Sequence, residues 1–179
     1  MKNLKLLKKL QWDDVFEIWR HTEEHLEHWQ RYWRSKGYKS WADWRMEKVR
    51  ATNADTMKWE LYEVKDPLKT IPDWKGGPFT TWLKYFYAPL GKDAKHLPTF
   101  ADLATNPAVA NHHYVLDLIK TFPKHTILTA VKTSQGIVIV EGMHRACAIA
   151  LSVAHGHPVK TKVKVALTKI KGNIKISRK

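Results

Sequence analysis

The most regular pattern in the chain runs from Gly136 to Gly156, GIVIVEGMHRACAIALSVAHG. The apolar run Ile137 to Val140 predicts a buried strand, interrupted at Glu141-Gly142. Met143, Ala146, Cys147, Ala150, Leu151 and Ala154 then fall at i, i+3, i+4, i+7, i+8 and i+11. That is the complete apolar stripe of a core-packed helix, and Gly156 supplies its stop. Upstream, Thr126 to Lys132 predicts a strand that turns at Ser134-Gln135-Gly136 into its hairpin partner. Downstream, Val159, Thr161, Val163, Val165 and Leu167 alternate with Lys160, Lys162 and Lys164, a half-buried strand with lysines on its open face.

The first third has a different period. Leu4, Leu7, Leu10, Trp12, Val15, Phe16 and Trp19, then Leu26, Trp29 and Trp33, recur every three to four residues and predict helix. Gly37 ends this stretch, and Ser40-Trp41-Ala42-Asp43 predicts a capped start for another short helix. From Lys58 to Val64 the pattern switches to strand alternation, so a boundary is expected between residues 1–56, a Trp-rich helical extension, and residues 57–179, the main domain. Asp66-Pro67 to Gly77-Pro78 reads as loop, and Phe79 to Tyr87 as a short helix. Phe100 to Ala104 and Ala108 to Phe122 predict two more helices, divided at Asn106-Pro107. The expected class is α/β, a small mixed sheet with helices.

With 44% hydrophobic residues the chain can bury a core, which excludes a disordered protein. Its one cysteine, Cys147, excludes an internal disulfide. No run approaches the roughly 20 apolar residues of a membrane span, so no membrane partner and a cytoplasmic location are expected. The formal charge of +14 is uneven: residues 1–60 carry 13 Lys/Arg against 10 Asp/Glu, whereas residues 61–179 carry 18 against 7, with no acid after Glu141. A basic C-terminal half, with its tail from Lys169 to Lys179, suits anionic partners.

These patterns locate the candidate chemistry. His144-Arg145 falls in the first turn of a helix, where free N–H groups and the dipole attract anions, and an arginine can grip a phosphate with two N–H groups. Gly142 admits close approach of a ligand to the backbone. Lys75-Gly76-Gly77 can present successive N–H groups to an anion, although it lacks the spacing of a nucleotide-binding P-loop. His21, His25 and His28 share a helical spacing, but no further ligand cluster accompanies them, and no metal site is assigned. Six of the nine tryptophans lie between Trp12 and Trp44; at helical spacing they are core residues first, and an aromatic platform for bases or a protein partner second.

The order strand, E-G-M-H-R-A-C-A, helix and alternating strand resembles the ParB/sulfiredoxin superfamily, over roughly residues 57–168. That superfamily includes ADP-dependent serine kinase-like and ParB nuclease-like domains. The resemblance implies a ParB/sulfiredoxin-like fold in which Gly142, Met143, His144 and Arg145 surround the phosphates of a nucleotide, with Lys75, Gly76 and Gly77 across the site. Glu141, at the strand end beside that site, is expected as an acid/base or magnesium partner and His144 as a second catalytic group, with ATP, ADP or CTP and magnesium as cofactor. Met143 stands where sulfiredoxins carry their catalytic cysteine, which excludes that activity, and the short stretch after the last strand leaves no room for a helix-turn-helix DNA reader. Two functions are therefore expected. The first is a nucleotide-dependent phosphotransferase or NTPase acting on a nucleotide or another phosphorylated small molecule. The second is a nucleic-acid-binding module using Lys160, Lys162 and Lys164.

Overall fold

The computed structural model describes residues 3–172 and 174. Six strands build one mixed sheet in the order β1-β2-β6-β4-β5-β3. They are β1 (Leu4–Leu10), β2 (Trp59–Val64), β3 (Lys75–Gly76), β4 (His125–Thr133), β5 (Gly136–Glu141) and β6 (Lys162–Lys169). β4 and β6 run parallel, as do β3 and β5, and the other neighbours are antiparallel. The described residues also form nine helices: α1 (Trp12–Glu23), α2 (Glu27–Ser35), α3 (Trp41–Thr52), α4 (Pro67–Thr70), α5 (Thr80–Trp82), α6 (Phe100–Ala104), α7 (Pro107–Ala110), α8 (His113–Lys120) and α9 (Met143–Ala154). A π-helical turn, Leu83–Tyr87, continues α5.

Strand alternation divides the core in two. Tyr62, Val64, Leu128, Ala130, Val163, Val165 and Leu167 face α9, whose Ala146, Cys147, Ile149, Ala150 and Leu151 are buried against them. Fully burying each aliphatic side chain of this size contributes about 1.5–3 kcal/mol, and this face anchors the fold. Trp59, Leu61, Ala166 and Ile127 face the other way and meet Val15, Trp19, Trp41, Trp44 and Val49 of α1 and α3. The indole N–H of Trp19 donates to Thr129 Oγ1 at 2.9 Å, tying α1 to the centre of the sheet.

Several expectations differ from the structure. Leu4 to Leu10 is an edge strand, not a helix. A bulge between Leu6 and Lys8 changes the strand's parity, so Leu4 packs on the α9 side while Leu10 packs under α1. Leucines at helix-like spacing thus serve both faces of one strand. With β1 in the sheet and residues beyond 56 in the second core, residues 1–56 and 57–179 share their structure. The helix expected over Ala108 to Phe122 is two, because the chain breaks at Asn111-His112, where the Asn111 amide donates to the Pro107 carbonyl at 3.0 Å. The last strand begins at Lys162, which leaves Lys160 outside it. In the tail, residues 173 and 175–179 lie outside the described residues.

Candidate functional site

β5 makes its last pairing at Glu141, opposite Thr129, while β4 continues back to His125. The chain leaves the sheet at Gly142, whose φ of +92° suits glycine and whose added Cβ would lie 2.5 Å from Leu128. That departure strands the edge of β4 at Thr126–Leu128, and Arg145 fills it. Its Nη1 donates to the Ile127 carbonyl at 3.0 Å and to Thr126 Oγ1 at 2.6 Å, and its Nη2 donates to Glu141 Oε1 at 2.6 Å. Two of the five guanidinium N–H groups, on Nε and Nη2, have no partner among the described residues.

Glu141 is 7% exposed. Thr22 Oγ1 of α1 lies 3.2 Å from its Oε1, while its Oε2 is buried with no partner among the described residues. Burial pushes its carboxyl above the ordinary range; Arg145 opposes this, Glu23 adds to it and Arg45 opposes it. The buried Glu23 is itself paired with the partly buried Arg45, whose Nε donates to it at 2.6 Å, and accepts from the Trp41 indole N–H at 3.2 Å. Two ion pairs therefore join α1, α3, β5 and α9 in the interior.

The other residues of the expected grip point elsewhere. Met143 is buried, and its Sδ accepts from the Gly77 N–H at 3.3 Å. The Gly76 N–H donates to the Pro98 carbonyl at 3.2 Å. Both glycine N–H groups of Lys75-Gly76-Gly77 are thus already bonded within the protein, and Gly76 is required for a different reason: a Cβ there would strike the Tyr87 hydroxyl. His144 packs its ring against Trp82, His112 and Tyr114, each with centroids 5.2 Å away. Burial first, then His112, His28 and His113, push its imidazole down to about 4, so it is neutral near pH 7.

Arg145 also lines an open cleft of about 1100 Å³ between α1 and the sheet. One wall carries Asp13, Asp14 and Glu17 of α1; the floor carries Lys162 and Lys164 of β6, with Glu63 of β2 opposite Lys164. Among the described residues no ion pair of 4.0 Å or less joins the acidic wall to these lysines. Opposite charges thus line a gap that they do not close. His21 and His25 also border the cleft, but α1 ends at Glu23, so the helical spacing of His21, His25 and His28 is broken. No group of three or more His, Cys, Asp or Glu among the described residues is arranged to hold a metal ion.

The structure therefore brings Arg145, Lys162 and Lys164 to one cleft and leaves Glu141, Gly142, Met143, His144, Lys160 and the Lys75-Gly76-Gly77 loop out of its lining. The α1 carboxylates and Thr22 lie more than a hundred positions from Glu141 and Arg145, and Tyr114 and Thr126 lie outside the motif, so no local spacing marks any of them in the sequence. No described helix is long and apolar enough to cross a membrane. Compared with protein-family models, curated proteins and solved structures, the chain matches none.

Proposed function

We propose that this protein binds a phosphorylated small molecule of nucleotide size in the cleft, with Arg145 at its deep end and Lys162 and Lys164 along the floor. One observation carries the reading: a partly buried arginine with N–H groups unpartnered among the described residues lines, together with two lysines that make no ion pair among them, a cleft large enough for a nucleotide. The resemblance of E-G-M-H-R to the ParB/sulfiredoxin superfamily supports it at one residue, Arg145, the member of that motif that lines the cleft. The carboxylates of α1 suit the hydroxyl and amino groups of a nucleoside. Glu141 and His144 are held off from solvent, and here they position Arg145 and the helix start instead of exchanging protons with a substrate.

A small ligand is favoured over nucleic acid because Lys162 and Lys164 line the cleft, while Lys160 stands outside the strand. A polyanion needs an open basic track. Thermal shift with ADP, ATP, CTP and inorganic phosphate tests the reading. A ligand at 100 times its Kd stabilises by about 2.7 kcal/mol, which raises Tm by roughly 5–11 °C for a chain of this size. The double variant Lys162→Ala/Lys164→Ala, at exposed strand positions, is expected to fold normally and lose most of the shift. No shift with any of the four at millimolar concentration overturns the reading.

A further inference from the structure

We infer that Glu141 is the resident counter-ion of the anion site, and that anion binding at Arg145 is coupled to the uptake of one proton by Glu141. The inference rests on the cleft reading above and adds a property that the reading does not contain.

Three geometric facts lead to it. The guanidinium of Arg145 is shared: one side is bonded to Glu141, and the residue lines the cleft. The carboxylate is almost out of reach of water, at 7% exposure, so water cannot compensate for a change in its surroundings. Its Oε2 is buried without a partner among the described residues, so one oxygen of the carboxylate is already unsupported. A protonated Glu141 keeps Oε1 as acceptor for Arg145 and places its proton on Oε2.

The charges around Glu141 leave little margin. Arg145 of α9 and Arg45 of α3 favour the ionised form; Glu23 of α1 opposes it, Thr22 of α1 touches Oε1, and Tyr114 of α8 senses the same charge. Arg45 is already paired with Glu23. Arg145 is therefore the principal support of the carboxylate. Two negative charges sharing one cation in a buried site cannot both be stabilised by it, and one of them takes up a proton. The phosphate faces solvent and the floor lysines, so Glu141 takes the proton. Charge balances: the ligand brings its negative charge, one proton enters from bulk, and no bond to the ligand is made or broken.

The experiment is calorimetric titration of the full chain with metal-free ADP at pH 7.5, where the ADP phosphates are largely ionised. It is run in two buffers of very different ionisation enthalpy, so that the difference in heat counts protons. The expected result is close to one proton taken up per ADP bound, falling to near zero in Glu141→Gln, which keeps an oxygen acceptor for Arg145. Difference infrared spectroscopy on the unaltered chain reads the same event through a new protonated-carboxyl C=O band on ADP addition, and needs no variant to fold. Binding without proton uptake and without that band overturns the coupling and leaves the cleft reading standing. Uptake that persists in Glu141→Gln also overturns it, by assigning the proton to the cleft histidines His21, His25 or His125. Absence of any ADP binding overturns the cleft reading for this nucleotide and the coupling with it.

Discussion

Removing the cation from the buried Glu141–Arg145 pair gives a penalty that the structure bounds. In Arg145→Met the carboxylate loses its nearest cation and keeps Glu23 as a neighbour. It then stays ionised at a desolvation cost or takes up a proton. The second route sets a ceiling, because protonating a carboxyl with an ordinary value of 4.5 costs about 1.36 kcal/mol per pH unit above it. The ceiling is about 4.8 kcal/mol at pH 8 and about 1.4 kcal/mol at pH 5.5. The lost bonds to the Ile127 carbonyl and Thr126 add a pH-independent cost of about 1–3 kcal/mol. A folded-state value raised above the unfolded one stabilises below the unfolded value and loses that stability as pH rises through the folded one. The variant should therefore be far weaker at pH 8 than at pH 5.5.

Urea unfolding followed by tryptophan fluorescence measures this directly. At pH 8 a loss of about 3–5 kcal/mol is expected, the usual cost of orphaning a buried charge. Roughly 3 kcal/mol should return by pH 5.5. The double variant Arg145→Met/Glu141→Leu should remove the pH dependence and recover the charge-related part of the loss, because an ion pair replaced by apolar groups of similar size is often near neutral. A loss below about 1 kcal/mol at pH 8, or a double variant as weak as the single one, refutes the reasoning.

Further outcomes follow from other contacts. His144, held at about 4 against an ordinary 6.5, binds fewer protons folded than unfolded between those values. Stability should fall by up to about 3 kcal/mol as pH drops from 6.5 to 4, and His144→Phe should flatten that part of the curve in the same urea assay. Thr129→Val leaves the buried Trp19 N–H without its acceptor, so a loss of about 1–3 kcal/mol is expected. Adding Trp19→Phe should make the pair less than additive in a double-mutant cycle. Gly76→Ala places a methyl against the Tyr87 hydroxyl and the Met143 side chain, and should cost about 1–3 kcal/mol by overpacking, read as a drop in Tm.

The elements that were legible beforehand share one property: their information is local. The α9 stripe, the hairpin at Ser134-Gln135-Gly136 and the Ser40 helix start are each written within a dozen residues. β1 was misread for the same reason, since a bulge and a two-sided edge position cannot be seen in seven residues alone. His144 and Arg145 lie in the first turn of α9, as the periodicity predicts. Their tasks diverge only because the aromatic cluster of Trp82, His112 and Tyr114 claims one side chain and the open edge of β4 claims the other.

By itself, then, the sequence determined an α/β chain whose central helix starts at a basic turn after a buried strand, because periodicity and turn chemistry act over one or two turns of backbone. Only the tertiary structure decided that Arg145 is half committed to Glu141, that α1 lies across the sheet to form a cleft, and that Lys162 and Lys164 open into it. Those outcomes depend on sheet register and on contacts spanning more than a hundred residues, such as Thr22 with Glu141 and Trp19 with Thr129. The physical reason is that a buried charge or hydrogen-bonding group must be satisfied by whatever the fold brings beside it, and that neighbour is chosen by packing.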